Sequence, residues 1–150
     1  MQLNQQTPDF LGYDLDGNPV LASQFEGKPL IIYFYPKDNT PGCTAEACSL
    51  RDGNRELEAL GYTVIGISKD SAASHRKFAE KHALDFMLLS DPETSVNQEF
   101  GVWQKKKMAG REYMGTVRTT FVTDADHRIT HIITKVNTKD AAGQLLELLK

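Results

Sequence analysis

Leu30-Ile31-Ile32-Tyr33-Phe34-Tyr35-Pro36-Lys37-Asp38-Asn39-Thr40-Pro41-Gly42-Cys43 is the stretch that decides the fold of this chain. Its first six residues are an unbroken apolar run rich in β-branched and aromatic side chains. That is the pattern of a strand buried on both faces, as in a parallel sheet. Pro36 to Asn39 breaks the strand. Thr40 suits the N-cap of a helix, and Pro41 suits its first helical position, where a missing N–H costs nothing. Apolar positions at Leu50, Leu57 and Leu60 carry the helix to Gly61, a residue suited to a left-handed stop. The spacing therefore predicts a buried strand running directly into a helix N-terminus.

Downstream, Thr63 to Ser68 reads as a second buried strand, and Asp70 or Ser71 as the cap of a helix carrying Phe78, Ala79 and Ala83. Phe86 to Leu89 is a third strand, closed by Asp91-Pro92 and followed by a short helix from Thr94 to Phe100. Between Trp103 and Gly115 the pattern dissolves into Lys, Gly and Met, which predicts an exposed loop or irregular hairpin. The Lys105-Lys106-Lys107 run reads as a solvated loop, with Trp103 and Met108 as the alternative of a docking surface. Thr119 to Thr123 and Arg128 to Thr134 flank a turn as antiparallel strands, and Thr138 is the expected cap of a last helix. Upstream, Phe10 to Leu15 and Asn18 to Leu21 flank Asp16-Gly17 as a β-hairpin. Alternating β and α elements build a mainly parallel sheet covered by helices. The whole order is that of an α/β, thioredoxin-like fold with an N-terminal β-hairpin and an inserted β-α unit, in a single domain over residues 1–150.

Composition narrows the function classes. The chain of 150 residues is 40% hydrophobic and 25% charged, which excludes a disordered, collagenous or coiled-coil protein. Seventeen Lys and Arg against twenty Asp and Glu leave a net charge of −3, which argues against nucleic acid or an anionic membrane as main partner. No apolar stretch approaches the ~20 residues of a membrane span. Met1 to Gln6 has neither a basic nor an apolar leader region, so the expected compartment is the cytosol. Two cysteines cannot make a disulfide framework. Nor do they make a zinc site with His75, His82, His127 and His131, which lie in distant segments without ligand spacing. If the cysteines matter, they matter as thiols.

Cys43 occupies the third position of the predicted helix. Free backbone N–H groups and the positive end of the helix dipole stabilise an anion there, which lowers a thiol pKa and yields the nucleophilic thiolate. Cys48 follows five residues later. A regular helix rises ~7.5 Å and turns ~500° over that interval, so the two Cα atoms stand roughly 8 to 9 Å apart with diverging side chains. A disulfide requires less than ~7 Å. The two cysteines cannot pair while the helix is intact. Their spacing is not C-x-x-C, which disfavours a thioredoxin-type oxidoreductase.

Pro36-x-x-x-Thr40-x-x-Cys43 resembles the active-site pattern of the peroxiredoxins, and the longer string from Phe34 to Cys48 is similar to the peroxiredoxin Q, or bacterioferritin comigratory protein, group. The resemblance extends over nearly the whole chain, through Thr7-Pro8-Asp9-Phe10, Lys107-Met108, Tyr113-Met114-Gly115 and Arg118-Thr119-Thr120-Phe121. Gly12-Tyr13 and Thr123 depart from the usual residues of that group. The resemblance implies a thiol peroxidase that needs no metal, haem or flavin and reduces hydrogen peroxide and organic hydroperoxides. It implies Cys43 as the peroxidatic cysteine, converted to a sulfenic acid, and Cys48 as the resolving cysteine. Thr40 is implied as the hydroxyl bonded to thiolate and peroxide, and Pro36 as an apolar shield over the sulfur. Arg118 is implied as the guanidinium that stabilises the thiolate and polarises the peroxide, with Glu46 orienting it. By composition alone, a lone Arg entering a strand is a solvated edge residue, and a first-turn Glu is expected on dipole grounds. Thioredoxin is the implied reductant of a Cys43–Cys48 disulfide, and a monomer suffices for that chemistry.

Two other classes compete with this one. A thioredoxin-fold binding or chaperone module would use its cysteines only for packing, which does not call for the Pro36, Thr40, Cys43 and Arg118 set. A disulfide reductase or isomerase would need C-x-x-C and a Pro just before the closing strands, where this chain has Val117-Arg118-Thr119.

Overall fold

The computed structural model describes residues 1–150. β1 (Phe10–Tyr13) and β2 (Pro19–Leu21) form the N-terminal hairpin, and β3 (Leu30–Phe34) leads into α1 (Pro41–Ala59). β4 (Thr63–Ser68), α2 (Ala72–His82), β5 (Met87–Ser90) and the short α3 (Ser95–Glu99) follow. β6 (Trp103–Met108) and β7 (Arg111–Thr116) make a second hairpin, before β8 (Thr119–Thr123), β9 (Ile129–Ile133) and α4 (Ala141–Leu149). Seven strands join in one sheet in the order β2-β1-β5-β4-β3-β8-β9. β3, β4 and β5 are parallel neighbours, whereas β8 lies antiparallel to β3 and β1 antiparallel to β5.

Every residue of β3 is buried, as its apolar run requires. Leu30, Ile32 and Phe34 face one core, with Ile65, Leu89, Phe100 and Phe121. Ile31, Tyr33 and Tyr35 face the other, against Leu50 and Leu57 of α1, Phe78 of α2 and Leu145 of α4. Each such side chain contributes about 1.5–3 kcal/mol on leaving water. β3 is therefore clamped from both sides, and it delivers the chain to the start of α1 at a fixed point. The far half of α1 is seated equally firmly. A Cβ built on Gly53 would overlap the Ala142 Cβ, so only glycine lets α1 and α4 approach this closely.

The two departures from the peroxiredoxin Q pattern have local causes. Gly12 has φ +129°, and a Cβ there would lie 2.9 Å from the Ser90 carbonyl oxygen, so glycine allows β1 to press against β5. Thr123 is fully buried, and its hydroxyl accepts the Leu30 N–H at 2.9 Å at the start of β3.

Two local expectations need correction. Of the loop and the irregular hairpin expected from Trp103 to Gly115, the chain forms the hairpin, and a regular one, paired from Trp103–Thr116 to Met108–Arg111. Its strands carry no apolar alternation because most of their side chains are exposed and only the Gly115–Thr116 end is buried. Thr138 does not cap the last helix. It opens a 3₁₀ turn, and the Asp140 carboxylate caps α4 by accepting the Gly143 N–H at 3.2 Å. Of the two candidate caps for α2, Ser71 is the one used, through the Ser74 N–H. No helix is long and apolar enough to cross a membrane.

Candidate active site

β3 ends beneath α1, and the loop from Tyr35 to Asn39 turns the chain into the helix. Thr40 stands at the N-cap with extended backbone angles, Pro41 is the first helical residue, and Cys43 is the third. The Thr40 side chain does not cap. Its hydroxyl donates to the Lys37 carbonyl at 2.9 Å, holding the loop closed and not bonding the Cys43 sulfur. With no side chain on the first N–H groups of α1, the positive end of the helix is left to the thiol. Cys43 is buried and free.

Arg118 comes from the segment between β7 and β8. Its Nη2 lies 3.3 Å from the Cys43 Sγ, and its Nη1 donates to the Glu46 Oε1 at 2.6 Å. One guanidinium thus spans the thiol and a carboxyl one helical turn further on. Gly42 makes room for it, since a Cβ there would sit 3.3 Å from Nη2. Burial works against the Arg118 charge, but Glu46 and Cys43 outweigh it, so its pKa lies above the ordinary guanidinium value. Burial lifts the Glu46 carboxyl to about 7, with Arg118 pulling the other way. Its Oε2 has no partner, and neither does the buried Tyr33 hydroxyl. Burial, and then the nearby Glu46 and Cys43, push the Tyr33 phenol well above its usual range, so it stays neutral.

The structure therefore brings Cys43, Arg118 and Glu46 together. Arg118 is not a solvated edge residue, and Glu46 is a fully buried residue, not a surface first-turn acid. Pro36 is half-buried where the chain leaves β3. Cys48 is not in the cluster. It lies on the same unbroken helix as Cys43, free and partly exposed, with its Sγ 3.8 Å from the Nδ1 of His82 on α2.

Two groups near the site escaped sequence reasoning. Lys106 is no solvated loop residue: it is half-buried, and its ammonium donates to the Thr116 carbonyl. Burial and the neighbouring Arg118 lower its pKa. A run of three lysines hides which member turns inward, and only the ribbon register reveals it. The second group lies behind the loop. The Asp38 carboxylate accepts from the Tyr35 hydroxyl at 2.7 Å, the Ser74 hydroxyl at 2.8 Å and the His75 Nδ1 at 2.7 Å. His75 turns its Nε2 to the Leu89 carbonyl at 3.0 Å, so both ring nitrogens face acceptors. Burial opposes ionisation of Asp38, and these hydrogen bonds overcome it, holding the carboxyl below its ordinary range. Asp38, Asp70 and His75 are close enough together to invite comparison with a metal site. Their ligand atoms are already committed, however: Asp70 accepts from the Asp38 N–H and the Ser68 hydroxyl, and His75 donates to Asp38. The cluster ties the loop before α1 to α2 and β5.

A buried thiol at a helix N-terminus with a guanidinium at 3.3 Å is suited to hold a thiolate and to stabilise negative charge developing on a neighbouring oxygen. Residues 3–132 match the model of the AhpC/TSA family. The chain belongs to that family. Peroxiredoxin Bcp of Bacillus subtilis (strain 168) is 43% identical over 150 residues, covering 100% of this chain and 96% of that relative. Peroxiredoxin Bcp of Escherichia coli (strain K12) is 43% identical over 143 residues, covering 95% of this chain and 92% of the relative. The solved structure of Xanthomonas campestris bacterioferritin comigratory protein, described for its alkyl peroxide reduction activity, superposes with a TM-score of 0.89. It is 31% identical, and the match covers 99% of this chain and 95% of that one. The fold is thus the thioredoxin-like fold of the peroxiredoxins, and the protein is a peroxiredoxin of the Bcp, or Q, group. Such an enzyme is a thiol peroxidase, which sets aside the binding-module and disulfide-reductase readings.

Proposed function

We propose that Cys43 is the peroxidatic cysteine, and that the enzyme reduces hydrogen peroxide and organic hydroperoxides in a cycle closed by Cys48 and a thioredoxin-type dithiol protein. The observation that carries this reading is the single guanidinium of Arg118 that reaches both the Cys43 sulfur and Glu46. The thiolate attacks one oxygen of the peroxide and the O–O bond breaks. Cys43 becomes a sulfenic acid, and the departing oxyanion, stabilised by Arg118, takes a proton to leave as water or an alcohol. Thr40, next to the site at the N-cap, receives the second peroxide oxygen once its hydroxyl turns from the Lys37 carbonyl. Pro36 shields the sulfur side of the loop from water.

Cys48 then attacks the sulfenic sulfur. Water leaves and a Cys43–Cys48 disulfide remains, for which the first turns of α1 have to unwind. Both cysteines come from one chain, so the cycle runs in a monomer. The cytosol is the compartment that this reading gives the enzyme, since its resting state keeps both cysteines as thiols.

Consumption of hydrogen peroxide and of an alkyl hydroperoxide, coupled to thioredoxin, thioredoxin reductase and NADPH, tests the reading. Wild-type protein should turn over, Cys43→Ser should be inactive, and Cys48→Ser should stop after one turnover. A Cys43→Ser protein with substantial activity overturns the nucleophile. Turnover with dithiothreitol but none with thioredoxin overturns the reductant.

A further inference from the structure

His82 is the last residue of α2, and two residues of α1 hold it. The Cys48 thiol meets its ring at 3.8 Å from Sγ to Nδ1, and Arg51, one turn later on the same face, donates to its carbonyl at 2.7 Å. The edge of Phe78 fixes the ring from the other side, with centroids 5.1 Å apart at 70°. The charged groups around the pair are Arg51, which is bound to Asp52, and Asp85 just beyond α2. Lys139 and Asp140 border the depression on the far side of Cys48. No carboxylate bonds the ring. His82 is only partly buried, so a proton it gains can pass to solvent.

We propose that His82 is the proton acceptor for Cys48, an inference that rests on the resolving role given to that cysteine above. An ordinary thiol is mostly protonated at neutral pH, and only the thiolate attacks. Imidazole is the side chain that takes a proton in that range. As the segment begins to open, the Cys48 S–H proton moves to Nδ1, and Cys48 leaves the helix as a thiolate. It forms the S–S bond with Cys43 as the sulfenic S–O bond breaks. The hydroxide released recovers a proton from the imidazolium through solvent, so one sulfenic acid and one thiol become one disulfide and one water. The sulfenic acid is made by the peroxidase reaction itself, and no other oxidant enters.

Rapid-quench mass spectrometry after a single peroxide pulse separates sulfenic acid formation from disulfide formation. In His82→Gln the first step should be unchanged, and the second should slow at least about tenfold at neutral pH. The deficit should shrink as the pH rises toward the range where an ordinary thiol ionises without a base. Added imidazole should restore part of the rate to His82→Ala. In the wild type, the second step should show a solvent deuterium isotope effect, a readout that survives if the variants fold poorly. Equal rates in His82→Gln, or uniform slowing at every pH without imidazole rescue, overturn the proposal, as does a wild-type second step with no isotope effect. Absence of any Cys43–Cys48 disulfide in the wild type overturns the resolving role as well. A disulfide formed at full speed without His82 overturns this inference alone.

Discussion

Arg118 and Glu46, 72 residues apart in sequence, meet at 2.6 Å between Nη1 and Oε1, and the other arm of the same guanidinium rests on the Cys43 sulfur. Because the carboxyl is fully buried, its protonation state is coupled both to stability and to the aim of the arginine.

Stability should respond to pH through Glu46. Burial lifts its folded-state value to about 7 from an ordinary 4.5, so the folded state holds the proton more tightly than the unfolded one. The contribution is fully present below 4.5 and is lost as the pH rises through 7. About 3 kcal/mol is involved. Asp38, held below its ordinary value, works with the opposite sign: its contribution is lost as the pH falls through that lowered value. Urea melts between pH 4.5 and 7.5 should show a flatter profile for Glu46→Gln than for wild type. Identical profiles would show that Glu46 binds its proton no more tightly in the folded state than in the unfolded one.

Replacing Arg118 by lysine keeps the charge and loses the bridge. An ammonium is a point charge and cannot lay two arms on a sulfur and a carboxyl at once. Arg118→Lys should raise the apparent thiol pKa of Cys43 and cut the peroxide rate at least about tenfold, with Arg118→Ala losing about a hundredfold or more. Iodoacetamide titration and stopped-flow peroxide kinetics give the two numbers. An unchanged thiol pKa in both variants would assign thiolate stabilisation to the helix alone.

Gly42→Ala should damage activity without damaging the fold. The new Cβ meets the guanidinium at 3.3 Å and displaces it, while alanine in a helix gains up to about 1 kcal/mol over glycine. The rate with peroxide should fall severalfold while the melting temperature holds or rises. A variant as fast as wild type would mean that Arg118 has room to spare.

These sites were legible to different degrees in the sequence. β3 declared itself because both its faces are core, and a short apolar run with no alternation, cut off by Pro36, fits a strand covered on both sides. The β6–β7 ribbon was legible only as a loop or irregular hairpin, because most of its side chains face water and burial is confined to Lys106 and the Gly115–Thr116 end, which leaves no period to detect. Thr40 was placed correctly at the N-cap, yet its hydroxyl bonds the Lys37 carbonyl, a choice between neighbours that spacing does not decide. Cys43 was found from local structure alone. The meeting of Arg118 with Glu46 came only from family resemblance, since nothing local to either residue points to the other. Asp38 and His75 had no such help: a turn aspartate and a lone helical histidine are common, and their buried pairing depends on how α2 packs on the sheet.

Oxidation should melt one end of α1 and leave the other. In the disulfide form, amides from Ala45 to Leu50 should lose protection against hydrogen exchange by several powers of ten, while those of β3 keep theirs. A Cys48→Ser protein should show no such loss and should collect sulfinic acid at Cys43. Equal protection in a protein with a verified Cys43–Cys48 bridge would refute unwinding.

The contact between Gly53 and Ala142 then limits how much chain can be released. With the backbones of α1 and α4 seated against each other there, melting that starts at Thr40 meets a fixed abutment within thirteen residues. In the proposed cycle, the oxidised segment would be a fixed length of slack between that abutment and β3. Once that disulfide is reduced, the segment would rezip onto standing helix instead of starting a new one. Growth from an existing end avoids the costly first turn, so the released segment should re-form its helix in the time of elongation and not of nucleation. A glycine chosen for close packing would in this way ensure that the active-site helix is never the slow step once the thiols are free.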